Sequence, residues 1–113
     1  MKIKYPVLLC LATSTIFAFA QSFSKVALVE NVLLEEQSSG NCTVTFRLTN
    51  SNSYIVNIRY KTITYADNGQ SFPDSGSLYL NPGQSDDTVK EYGAFTKCYV
   101  TKVYGEMAVT QQK

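Results

Sequence analysis

The sequence predicts an all-β protein, an antiparallel two-sheet sandwich of about seven short strands with one disulfide between the sheets, and three observations predict it. Cys42 to Thr49 alternates apolar and polar residues without a break, so Cys42, Val44, Phe46 and Leu48 face one way and Thr43, Thr45, Arg47 and Thr49 the other. Cys98 opens a second alternating stretch, Cys98-Tyr99-Val100-Thr101. Between the apolar runs stand turn residues, among them Asp67-Asn68-Gly69-Gln70 and Asn81-Pro82-Gly83-Gln84.

Residues 1–20 are expected to be a secretory signal peptide. Lys2 and Lys4 precede an apolar run from Val7 to Ala20 that closes in Ala18-Phe19-Ala20, the small-x-small end a signal peptidase needs. A transmembrane anchor is the competing reading, but the run falls short of the ~20 apolar residues a bilayer core requires. Cleavage after Ala20 removes Cys10 and leaves residues 21–113 as a single domain, exported to the periplasm, the cell surface or the medium, with no further membrane insertion.

Loss of Lys2 and Lys4 turns the formal charge of +1 into −1. No basic run interleaves with the aromatics, so the chain offers no phosphate-seeking face and nucleic acid is excluded as a partner. Two cysteines in a short exported chain pair with each other in an oxidising compartment. Closing the long Cys42–Cys98 loop is worth about 4 kcal/mol in the chain-entropy description. A redox or nucleophilic thiol is the rival reading; with no Cys-x-x-Cys and no histidine, nothing generates a thiolate.

Taken in order, Lys25 to Glu36 carries Val26, Leu28, Val29, Val32, Leu33 and Leu34 with an ambiguous period, fitting a strand pair or one helix. Its β-branched valines favour an edge strand that shifts or bulges midway. Gln37 to Asn41 makes a polar turn, and Asn50-Ser51-Asn52-Ser53 a loop after the Cys42 strand. Tyr54 to Tyr65 reads as a long strand whose phase changes: Val56, Ile58 and Tyr60 share one face, Ile63 and Tyr65 the other, which predicts a bulge near Lys61 or Thr62. Ser71 to Gly76 reads as a crossing loop, Ser77 to Leu80 as a short strand, and Asp86 to Tyr92 as an exposed edge or loop. Phe95 to Val103 is the Cys98 strand. Tyr104-Gly105-Glu106 turns the chain into a last strand, Met107 to Thr110.

On this count the cysteines fall on the second and sixth strands, the pair bridged between sheets in immunoglobulin-type topology. Leu80-Asn81-Pro82-Gly83-Gln84-Ser85 resembles the Leu-x-Pro-Gly turn that follows the fifth strand in bacterial immunoglobulin-like and fibronectin type III-like modules. In size and pattern the chain is similar to the interleukin receptor mimic family of enterobacterial pathogens. That resemblance implies a secreted dimer that binds host immune proteins such as cytokines or their receptors. There is no tryptophan, and Thr96 stands where a tyrosine corner would place tyrosine, so the resemblance is to fibronectin III-like rather than antibody-type domains.

Catalysis finds little to work with. Without histidine there is no ordinary triad and no imidazole metal ligand, and no cofactor or metal is expected. Asp86, Asp87 and Glu91 could form a carboxylate cluster, but they lack calcium-loop spacing and read as a solvated rim. The tyrosines are more informative: apart from Tyr5 they are Tyr54, Tyr60, Tyr65, Tyr79, Tyr92, Tyr99 and Tyr104, set among serines and asparagines, a composition suited both to strands and to a protein-binding face. With Cys98 and Val100 inward, Tyr99 faces out, on a strand expected beside the one carrying Asn57, Arg59 and Lys61. Tyr99, Arg59 and Lys61 are therefore the expected protein-binding patch. Two function classes follow: a secreted recognition module acting through that face, or a subunit or assembly factor of a bacterial surface fibre acting through a strand edge.

Overall fold

A computed structural model describes residues 22–93 and 97–112. The expected signal peptide, residues 1–20, and the first residues of the expected Cys98 strand, with Thr96, lie outside the described residues.

Seven antiparallel strands form two sheets: β1 (Ser24–Val29), β2 (Val32–Ser39), β3 (Thr43–Asn50), β4 (Val56–Ala66), β5 (Ser71–Leu80), β6 (Ser85–Glu91) and β7 (Val100–Gln111). One sheet has the order β1-β2-β3-β6 and the other β5-β4-β7. Between them lies a core of Val32, Leu34, Val44, Phe46, Leu48, Val56, Ile58, Leu80 and Val109, contributed by both sheets. The β-sandwich expected from the sequence is the fold observed.

The strand count agrees with expectation because two differences offset each other. The segment expected to be one bulged strand is a hairpin, in which Glu30 and Asn31 both adopt positive φ, 46° and 61°, the left-handed pair of a tight two-residue turn. Val29 then faces Val32 across the inner side, while Leu28 pairs with Leu33 on the outer side. Apolar residues on both faces are what blurred the period. The expected turn at Tyr104 to Glu106, conversely, is the middle of β7. Gly105 is needed there for packing, because a Cβ on it would come within 2.8 Å of Val26 and 2.9 Å of Leu34.

β4 corrects a third expectation. Its pairing with β5 runs unbroken from Val56 to Tyr65, and with β7 it is irregular only between Tyr65 and Ala66, so no bulge occurs near Lys61 or Thr62. Val56, Ile58, Thr62, Thr64 and Ala66 are buried in strict alternation, and Ile63 and Tyr65 point outward. A strand paired on both sides cannot slip by one residue without turning every side chain over, so backbone pairing outweighs the gain from burying two apolar side chains. Ser71 to Gly76, expected as a loop, is the first half of β5. Pro73 is tolerated because β5 has a partner on one side only.

The two ends of the sandwich are closed differently. At one end Cys42 and Cys98 form the expected disulfide, with Cα atoms 5.2 Å apart, between the strand starts of opposite sheets. Ala66, Phe72, Tyr92 and Val100 pack around it. Phe72 stacks on Tyr92 with ring centroids 4.6 Å apart. The Tyr92 hydroxyl donates to Asp74 at 3.1 Å, and Lys90 of β6 meets the same carboxylate at 3.1 Å, tying β6 to β5. Burial pushes the Asp74 carboxyl up, but Lys90, the Ser75 N–H and the Tyr92 hydroxyl together hold it below the usual carboxylate range. Burial first, and then the charge of Asp74, pushes the Tyr92 hydroxyl well above an ordinary phenol.

At the other end the fully buried Asn50 amide reaches the carbonyls of Tyr54 at 2.9 Å and of Leu80 and Asn81 at 3.1 Å. Its oxygen accepts from the backbone and side chain of Asn52 at 2.9 and 3.0 Å. Asn52 in turn donates to the Glu30 carbonyl at 2.9 Å. One pair of asparagines thus joins the β1–β2, β3–β4 and β5–β6 connections.

Candidate binding face

Each sheet has one outer face, and the two are chemically unlike. On the four-stranded sheet, register aligns Lys25, Glu35, Arg47 and Asp87 in a row of alternating sign. Arg47 donates twice to Asp87, at 2.8 and 3.0 Å, and its guanidinium lies 3.9 Å over the Phe23 ring. Those hydrogen bonds raise Arg47 and hold Asp87 below its ordinary value. On this face Arg47 and Asp87 hold each other in an ion pair. Asp87 is thereby removed from the carboxylate group considered with Asp86 and Glu91, and among the described residues no three His, Cys, Asp or Glu side chains are placed to hold a metal ion.

On the three-stranded sheet the outward residues of β4 are Asn57, Arg59, Lys61, Ile63 and Tyr65, facing Tyr79, Ser77, Ser75, Pro73 and Ser71 of β5. On the other side they face Thr110, Ala108, Glu106, Tyr104 and Lys102 of β7. Of the described tyrosines, Tyr54, Tyr60 and Tyr92 are partly buried, and all four exposed ones belong to this sheet or its rim: Tyr65 38%, Tyr79 60%, Tyr99 61% and Tyr104 51% exposed. Tyr65 and Tyr104 meet edge to face at 5.8 Å, and Lys102 lies 5.0 Å from the Tyr104 ring.

Short side chains on β5 beside long ones on β4 and β7 leave two adjoining hollows of about 470 Å³ each. Lys61, Ser75 and Glu106 line both; Ile63, Pro73 and Tyr104 complete one, and Arg59, Ser77 and Ala108 the other. Among the described residues neither Arg59 nor Lys61 enters an ion pair. The two hollows together form a shallow trough that combines apolar, aromatic and cationic side chains.

Arg59 and Lys61 are thus side by side where expected, but Tyr99 is not with them. Its N–H donates to the Asp67 side chain at 3.0 Å and its carbonyl accepts from the Asp67 N–H at 2.9 Å, which sets it at the β4–β5 end of the sheet. Asp67 lies eight residues beyond Arg59 in sequence, about 26 Å along a strand. Tyr104 and Tyr65 are the tyrosines that flank the trough. An unbroken Val56–Ile58 alternation turns Lys61, Ile63 and Tyr65 outward together, but the sequence points to a bulge instead, and Tyr104 lies in what reads as a turn.

The chain matches no family model, no curated protein and no solved structure.

Proposed function

We propose that this is a protein-recognition module that acts outside the cytoplasm and binds a protein partner through the outer face of the three-stranded sheet. The observation that carries this reading is the segregation of every exposed described tyrosine to that sheet and its rim, beside Arg59 and Lys61, which enter no ion pair among the described residues, while on the opposite face Arg47 is held by Asp87. Tyrosine and arginine are the residues most often found as interface anchors, so Tyr104 and Arg59 are the anchors and Ser75 and Ser77 the adaptable floor. The resemblance to secreted fibronectin III-like proteins makes a host immune protein, a cytokine or its receptor, the first partner class to try.

The test compares the two faces on equally folded protein. Tyr104→Ala with Arg59→Ala should weaken capture of a partner at least thirtyfold, about 2 kcal/mol, and Thr43→Ala with Thr45→Ala should leave it intact. Tyr99→Ala should have the smaller effect of a rim residue. Loss of capture with the threonine pair alone would assign recognition to the wrong sheet. A surface-fibre subunit or assembly factor is the second reading, favoured by the long open edge of β7; such a protein runs as ladders or needs a donated strand, whereas a recognition module elutes as a monomer or closed dimer.

A further inference from the structure

Two sheets have four edges, and three of them are blunted. β5 carries Pro73, which has no N–H to offer, third of its ten residues. β6 carries Asp86, Asp87 and Glu91 and turns Lys90 inward to Asp74. β1 has six residues and an irregularity between Lys25 and Ala27. β7 is the exception: twelve residues without proline, paired among the described residues with β4 alone, and irregular only where Ala66 meets its first residue, Val100. Val26 packs against Gly105 beneath it, which closes the interior there and leaves the backbone ladder open.

We infer that this edge pairs antiparallel with β7 of a second copy of the chain, Tyr104 lying opposite the partner's Tyr104 and Lys102 opposite the partner's Glu106. The outward residues of β7 read Lys102, Tyr104, Glu106, Ala108 and Thr110. A two-fold pairing that keeps outer face with outer face admits few registers. Centred on Lys102 or Glu106 it sets like charges opposite each other. Centred on Val103 or Gly105 it leaves both charges facing neutral side chains. Centred on Tyr104 it makes two opposite-charge pairs around an aromatic pair, and on the inner side Val103 meets the partner's Gly105. The product is a continuous six-stranded sheet with Tyr65, Tyr104 and their symmetry mates at its centre. It closes as a dimer, because the outer edge at each end is the proline-bearing β5.

This pairing uses the strand edge and stands independently of what the outer face recognises. Sedimentation velocity of the disulfide-intact chain from residue 21, over a micromolar to near-millimolar range, should show a monomer–dimer equilibrium. Lys102→Glu and Glu106→Lys each place like charges opposite each other twice, and each should weaken the dimer about tenfold or more at low salt. Combined in one chain the two reversals restore opposite charges, and the dimer should return to near its original strength. Far-ultraviolet circular dichroism and a non-reducing mass measurement confirm that each variant is folded and bridged. A wild-type chain that stays monomeric throughout, single reversals that leave the dimer unchanged, a double variant that remains monomeric, or assembly beyond the dimer would each overturn the inference.

Discussion

The two ends of the sandwich do the same work by opposite physics. At one end a covalent bridge acts chiefly by restricting the unfolded chain, and its neighbours Phe72, Tyr92, Asp74 and Lys90 include groups that titrate. At the other, Asn50 and Asn52 act only in the folded state, by meeting buried carbonyls that would otherwise lose their water without replacement. The first end depends on redox state and pH. The second depends on neither.

The largest effect should come from removing the bridge. Cys42→Ala combined with Cys98→Ala should lower stability by about 4 kcal/mol, read as a fall in the urea midpoint with a steeper slope because the unbridged unfolded chain exposes more surface, and reductant should act similarly on the natural chain. If the loss is confined to that end, native-state hydrogen exchange should accelerate at Ala66 and Val100 before it does at Asn52 and Gln84. Uniform acceleration would mean that the ends are not separable.

Asn50→Ala comes next, at about 3 kcal/mol, because it strips partners from the carbonyls of Tyr54, Leu80 and Asn81 and an acceptor from Asn52 at one stroke. Its cost should be the same with and without reductant. A loss below about 1 kcal/mol would show that water replaces the amide and that this end is held by its turns alone.

The smallest effect is the response to pH. Asp74 is held below its ordinary value, so its contribution is present above the unfolded carboxylate range, near pH 4, and is lost as pH falls through its lowered folded value. Tyr92 is raised, so what it adds is complete below about pH 10 and fades as pH rises above that. Partial exposure keeps the Asp74 contribution under about 1 kcal/mol. Amide shifts near Asp74, Ala66 and Val100 should move in acid while those of Asn52 and Gln84 stay still, and Asp74→Asn should abolish the difference.

Much of this contrast was visible in the chain before folding, and the part that was not has a definite cause. Period-two alternation in Cys42–Thr49 marks β3 because side chains in a strand alternate faces whatever lies around them, and Cys42 and Cys98, each just ahead of a strand rather than on it, are bridged as their inward positions in the alternation suggested. Pro82-Gly83 marks its turn because only certain residues take the backbone angles required, and Gly83 has φ of 74°. These are local rules. Asn50, by contrast, sits in a polar run that reads as a loop, and its burial exists only because three distant connections converge on it. Ile63 and Tyr65 face outward because β5 and β7 jointly hold the register of β4, which no periodicity within β4 reveals. Tyr99 lies far from Arg59 for the same reason: a residue's face can be read from its own strand, but its position along the sheet is set by the neighbouring strand's register, which only the tertiary structure decides.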